Sequence, residues 1–256
     1  LEESEALAHG YGAEVGHMVG AVRSLAERGG KRLRPGLCVV GAVAVESDVD
    51  WAPMIEAGVS LELLQAYFLI HDDWMDEDDE RRGGPAVHFV FRQRYGNPHL
   101  GASLGVLAGD LASTFSWELF WSSEFPERRR DDALASFVRI QKEVFAGQQL
   151  DLMAADDVER MHDLKTGSYT TRGPAELGGI VGGGGERAMQ SLRDWSGPLG
   201  IAFQLRDDLL STFGSNPFGP AIPVYGLATT LYPSSTVVGV SGSAVSRFSL
   251  NTIRAF

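Results

Sequence analysis

Apolar side chains recur at Ile55, Val59, Leu63, Ala66 and Ile70 between Pro53 and Met75, three or four residues apart, which predicts a helix with one buried stripe. Gly29-Gly30 marks the end of an earlier helix, and Pro35 suits the first turn of the next. Further helices are expected at roughly 36–46, 100–122, 130–154, 160–171, 174–183 and 187–213. Strand-like alternation is scarce throughout this stretch. Long helices with short Gly, Pro and charged connections predict an all-α chain, a single large helical bundle whose functional groups project into a central cavity.

The pattern stops after Phe213. From Gly214 onward there is no Asp, Glu or Lys, and Gly, Pro, Ser, Thr and Val take over without helical periodicity. The expected organisation is therefore a helical domain over 1–213 and an atypical tail over 214–256, irregular or mobile. No charged residue occurs between Asp208 and Arg247, yet Pro217, Pro220, Pro223 and Pro233 interrupt that stretch, so it is not read as a membrane span. The chain opens at Leu1 without a Met or a signal-like pattern and reads as a trimmed piece with no targeting segment.

Composition narrows the classes. With 256 residues, 44% of them apolar, the chain can bury a full core. A formal net charge of -12 argues against nucleic acid as a partner, because such proteins present a basic face to the phosphate backbone. Cys38 is the single cysteine, which excludes an intrachain disulfide and a Cys-based zinc site and suits a reducing, cytoplasmic setting.

Two acidic clusters carry the candidate chemistry. The run Ala66-Tyr67-Phe68-Leu69-Ile70-His71-Asp72-Asp73-Trp74-Met75-Asp76 takes an apolar helix into a DDxxD pattern, with Asp72 and Asp76 four residues apart on one face. A second run, Ile201 to Ser211, aligns with it without gaps, so that Asp207 and Asp208 match Asp72 and Asp73. Magnesium takes oxygen ligands and is commonly held by one or two carboxylates plus substrate phosphate oxygens, so opposed carboxylate helices suit a diphosphate clamp. The plainer reading of Asp72 to Glu80, seven acids in nine positions, is a solvated helix end. His71 beside the first Asp reads as a packing or hydrogen-bonding residue. Gly182 to Gly185 lacks the strand and the Lys-Ser/Thr ending of a phosphate loop, and reads as a connection between helices.

Cations accompany the carboxylates. Gly29-Gly30-Lys31-Arg32-Leu33-Arg34-Pro35 holds three in a tight turn, Arg81-Arg82-Gly83-Gly84-Pro85 holds two directly after the first acidic run, and Lys165-Thr166-Gly167 adds one. Surface charge is the default for any one cluster. Only Lys31, Lys142 and Lys165 occur in the whole chain, however, and two of these sit in the clusters. Guanidinium forks and an ammonium are fitting partners for phosphate oxygens.

From about Gly29 to Phe213 the sequence resembles the trans-isoprenyl diphosphate synthases, the polyprenyl synthetase family. The resemblance rests on the GGKRxRP turn, the first Asp-rich motif followed by RRGxP, GQ-x-x-D at Gly147 to Asp151, the Lys165-Thr166 pair and the FQ-x-x-DD motif, all in family order. The segment Leu63 to Asp73 is similar to short-chain farnesyl and geranylgeranyl diphosphate synthases with an uninserted first motif. Ser211 departs from the family, replacing the last Asp of the second motif, and so does the tail, where the family continues with a charged loop and further helices.

The resemblance implies a helical bundle around a deep cavity, usually a homodimer, that joins isopentenyl diphosphate to an allylic diphosphate head to tail with about three magnesium ions per site. It implies that Asp72 and Asp76 bind two ions with Asp73 supporting, and that Asp207, aided by Asp208, holds a third. Arg81, Lys165 and Gln204 would contact the allylic substrate, with Thr166 near the developing cation, while Lys31, Arg34, Gln65 and Arg82 would hold isopentenyl diphosphate. Tyr67 and Phe68, about one turn before Asp72, would form a floor that stops the product at farnesyl diphosphate, with geranylgeranyl diphosphate the nearest alternative. Two rivals remain open: a class I terpene cyclase, which needs no second diphosphate site, and a catalytically impaired relative or regulatory subunit, favoured by Ser211 and the tail.

Overall fold

The structure, a computed structural model, describes residues 1–213, with Leu205 and 207–213 as backbone only. The tail expected to be irregular, 214–256, lies outside the described residues. The helices are α1 (Glu2–Tyr11), α2 (Ala13–Glu27), α3 (Leu33–Val45), α4 (Trp51–Met75), α5 (Val87–Tyr95), α6 (Pro98–Ser122), α7 (Glu127–Leu152), α8 (Val158–His162), α9 (Gly173–Gly182) and α10 (Glu186–Phe213). Among the described residues the strands are confined to one hairpin, β1 (Glu80–Arg81) with β2 (Gly84–Pro85), which pairs Glu80 with Pro85 and Arg81 with Gly84. The all-α expectation holds, and the long helices lie where the periodicity put them. Helix α5 and the hairpin were not anticipated, and residues Asp163–Arg172, expected as ordinary helix, form a π-helical segment continuous with α8.

The described residues divide into two compact units, one of Leu1–Val39 with Asp50–Arg130, the other of Val40–Val49 with the residues from Asp131 on. In the first unit, α4 is the central element. Asp50 caps it by accepting from the Ala52 N–H at 3.2 Å, which satisfies one of the amides a helix start leaves open. It is long and apolar enough to cross a membrane by length and composition, but 61% of that apolar window is buried inside the protein. Its neighbour α6 starts with Asn97 as cap and Pro98 in the first turn. Along α6, Gly101, Gly105, Ala108, Gly109, Ala112 and Ser116 are buried. A methyl on Gly105 would come within 2.7 Å of the His88 Cβ on α5, and one on Gly109 would overlap the His71 ring on α4, so this small-residue face lets both helices close in. Ser116 Oγ then donates to the Ser60 carbonyl of α4 at 2.7 Å in the interior.

The second unit is built on the buried segment from Gly167 to Gly179. A methyl on Gly41 would land on the Ala175 carbonyl, which places the end of α3 directly against α9. Thr171 Oγ1 donates to the Gly167 and Ser196 carbonyls, both at 3.0 Å, and so ties the π-helical segment to α10. Gly183, at φ 99°, stops α9 as a left-handed cap, and Gly183 to Gly185 connect it to α10, as the sequence indicated.

Candidate active site

The last turn of α4 carries the first acidic motif. Asp76 occupies the helix end, its N–H donating to the Asp72 carbonyl at 2.8 Å, and Glu77 then turns the chain out of the helix at φ 58°. Asp72 and Asp76 therefore share one side of the helix end, Asp72 half-buried and Asp76 exposed. Asp73 points the other way. Its side chain is fully buried, and its Oδ1 accepts from Arg81 Nε at 2.5 Å. Burial pushes the Asp73 carboxyl up to about 6 against the opposing pull of Arg81, and its second oxygen has no hydrogen-bond partner among the described residues. Burial works against the Arg81 charge too, but Asp73, Asp72 and Asp78 outweigh it and raise that group. Arg81 Nη2 also lies 3.3 Å from Asp78 and 4.0 Å from Asp72, so one guanidinium spans the acidic turn.

The cation clusters of this unit meet. Arg28, at the end of α2, donates from Nη1 to the Arg81 carbonyl at 3.0 Å and to the Pro85 carbonyl at 2.9 Å, clamping the hairpin. A methyl on Gly84 would overlap this guanidinium. Arg82, left-handed at φ 53°, comes within 3.4 Å of where a methyl on Gly30 would stand, which brings the GGKRLRP turn against the hairpin. Lys31 is exposed, Arg34 half-buried, and Gln65 buried in α4 with its amide oxygen unpartnered among the described residues. Tyr67 is buried, its ring 4.9 Å from Phe68 and 4.8 Å from His71, and Phe68 is half-buried. His71 Nε2 donates to the Val106 carbonyl at 3.0 Å, in keeping with a packing role.

The second unit holds the other candidates. Lys165 Nζ donates to Asp151 Oδ2 at 2.5 Å, joining the Lys-Thr pair to GQ-x-x-D. The approach depends on Gly147, whose added methyl would collide with the Lys165 backbone. Thr166 and Gln204 are half-buried. The side chains of Asp207, Asp208 and Ser211 lie outside the described residues.

The donor set at the end of α4 suits magnesium. Among the described residues no three His, Cys, Asp or Glu side chains gather into an ion site by themselves. A hard cation that draws its remaining ligands from substrate oxygens and water needs only one or two carboxylates, and Asp72 and Asp76 supply them.

Comparison with known proteins decides the family. The family model for polyprenyl synthetase matches residues 16–217. The chain belongs to the polyprenyl synthetase family. It is 32% identical over 200 residues to the short chain isoprenyl diphosphate synthase of Methanocaldococcus jannaschii, covering 76% of this chain and 57% of that protein. It is 34% identical over 200 residues to the farnesyl diphosphate synthase of Escherichia coli, covering 73% and 63%. A geranylgeranyl pyrophosphate synthase from Corynebacterium glutamicum, solved with isoprenyl diphosphate and magnesium, superposes with a TM-score of 0.77 at 33% identity over 84% of this chain and 65% of that one. The chain thus spans under two thirds of the length of these relatives.

Sequence reasoning missed two residues. Arg28 was hidden because a charge at a helix end is ordinary, although its place directly before Gly29-Gly30 marked it. Glu62 of α4, whose carboxylate accepts from Arg32 of the GGKRLRP turn, was hidden inside an apolar run, where an isolated carboxylate is itself a signal.

Proposed function

We propose that the chain condenses isopentenyl diphosphate with an allylic diphosphate to a short-chain prenyl diphosphate, dependent on magnesium, and that residues 1–213 act as one isoprenoid synthase domain within a cytoplasmic homodimer. The observation that carries this reading is the meeting, in one unit, of a carboxylate helix end with two separate cation clusters, the GGKRLRP turn and the Arg81–Arg82 hairpin. Two diphosphates need two such sets of charges. A site for one substrate needs only one.

Asp72 and Asp76, with Asp73 in support, and Asp207 with Asp208 would hold three magnesium ions. When bound, the metal supplies positive charge against the diphosphate leaving group as the carbon–oxygen bond breaks. Arg81 and Lys165, each already placed by a carboxylate within its own unit, would contact the allylic diphosphate together with Gln204, and Thr166 would serve the developing cation. Lys31, Arg34, Gln65 and Arg82 bind isopentenyl diphosphate, whose double bond attacks the allylic carbon. The proton lost afterwards goes to the departing diphosphate, so no dedicated side-chain base is required. The developing cation has to be shielded from water, which would trap it as an alcohol. Tyr67 and Phe68 limit growth, which makes farnesyl diphosphate the main product and geranylgeranyl diphosphate the nearest alternative.

The test is to incubate the purified chain with magnesium, isopentenyl diphosphate and dimethylallyl or geranyl diphosphate. Elongated diphosphates are expected. A hydrocarbon formed from the allylic substrate alone would make it a cyclase, and no turnover would make it an impaired relative.

A further inference from the structure

The GGKRLRP turn carries three cations, and the middle one is built in differently. Arg32 has a left-handed backbone, φ 47°, which a non-glycine residue keeps only where its surroundings hold it. Its Nη1 donates to Glu62 of α4, and its Nη2 donates to the Ala26 carbonyl of α2 at 2.8 Å. The two side chains are only 17% and 14% exposed, so the pair is shielded from the solvent that weakens surface ion pairs. Glu62 stands between the buried Leu61 and Leu63 and three residues before Gln65, on the same side of α4. Across the turn, Gly30 lies against the Arg82 guanidinium. One carboxylate of α4 therefore ties down the turn that contains Lys31 and Arg34 and abuts Arg82.

We infer that Glu62 is a positioning residue for the second diphosphate site: through Arg32 it holds the GGKRLRP turn in its left-handed form, so that Lys31 and Arg34 meet the diphosphate of isopentenyl diphosphate together with Arg82. The inference rests on the reading of this region as the isopentenyl diphosphate site. Without Glu62, a largely buried guanidinium keeps only the Ala26 carbonyl and loses its carboxylate, and the turn relaxes toward the ordinary negative φ. That change rotates the peptides on both sides of Arg32 and displaces Lys31 and Arg34 together. The groups assigned to the allylic substrate, Arg81 above all, are held by Asp73 and Arg28 and do not depend on Arg32.

The experiment compares Glu62→Ala and Glu62→Asp with the unaltered full chain, measuring KM for each substrate and, by calorimetry without turnover, the affinity for isopentenyl diphosphate. Glu62→Ala should weaken KM and affinity for isopentenyl diphosphate about tenfold, with less than about a twofold change in KM for the allylic partner. Glu62→Asp keeps the charge and should lose less. Adding Arg32→Gly to Glu62→Ala removes the unpaired cation and supplies a residue at ease with positive φ, so part of the affinity should return. A lowered melting temperature with both substrates affected alike, and no recovery in the double variant, would overturn the inference. The two readings fail separately. If the unaltered chain binds isopentenyl diphosphate but elongates nothing, the activity reading falls and the calorimetric comparison decides the role of Glu62; if it does not bind isopentenyl diphosphate, both fall.

Discussion

Adjacent aspartates at the end of α4 do different work because one turn of helix gives them different surroundings. Asp72 is half-buried on the side of the helix end that it shares with Asp76, whereas Asp73 is enclosed and bonded to Arg81. Asp73→Ala removes the charge-assisted hydrogen bond that fixes Arg81 from the interior, though Asp78 and Asp72 still face the guanidinium, so it should destabilise the chain by about 2 kcal/mol. Asp72→Ala should leave thermal stability close to that of the unaltered chain while abolishing turnover. Melting curves and activities measured side by side check this; if the two variants lose stability equally, the division of labour is wrong. Cys38 shows the same push of burial with nothing to oppose it. With no charged partner, its thiol is pushed up to about 12 and remains protonated, a core residue and nothing more.

At the scale of elements, close approach is set by glycines, and the proposed limit on product length rests on two adjacent aromatics. Gly147 lets α7 press against the segment that begins the Lys165-Thr166 pair, with no room for a methyl. Gly147→Ala should cost about 2 kcal/mol of stability as an overpacking change, and it should depress activity further by moving Lys165 away from Asp151. A crystal structure or a melting curve unchanged by the substitution would contradict this. On α4, Tyr67→Ala, Phe68→Ala and the double variant should shift products toward longer chains, read by chromatography, because each opens about one turn of space below the acidic motif. If no variant lengthens the products, the two rings are ordinary packing residues and the limit lies on another helix.

For the molecule as a whole, magnesium and diphosphate should act as one ligand. Each completes the other's coordination, so inorganic diphosphate with magnesium should raise the melting temperature much more than the sum of the two alone. At about one hundred times the dissociation constant the gain is roughly 2.7 kcal/mol, or several degrees for a chain of this size. Simple additivity of the two shifts would argue against a shared site.

The motifs were legible because each is short, ordered along the chain and chemically specific, from GGKRLRP through DDxxD to FQ-x-x-DD. The helices carrying them were legible from apolar spacing, since a stripe repeating every three or four residues has few other solutions. What stayed hidden involves partners far apart in sequence or conformations that no periodicity encodes. Arg28 reaches carbonyls 53 and 57 residues away, and Arg32 reaches Glu62 across 30. The π-helical segment has the same side-chain pattern as an ordinary helix, and differs only in how its carbonyls are paired. Sequence alone determined the fold class, the family resemblance and the identities of the charged groups, because these depend on local spacing and residue type. Only the tertiary structure decided which of two neighbouring aspartates is buried, which arginine braces the hairpin and which carboxylate holds the turn, because burial and pairing are made by the chain folding back on itself.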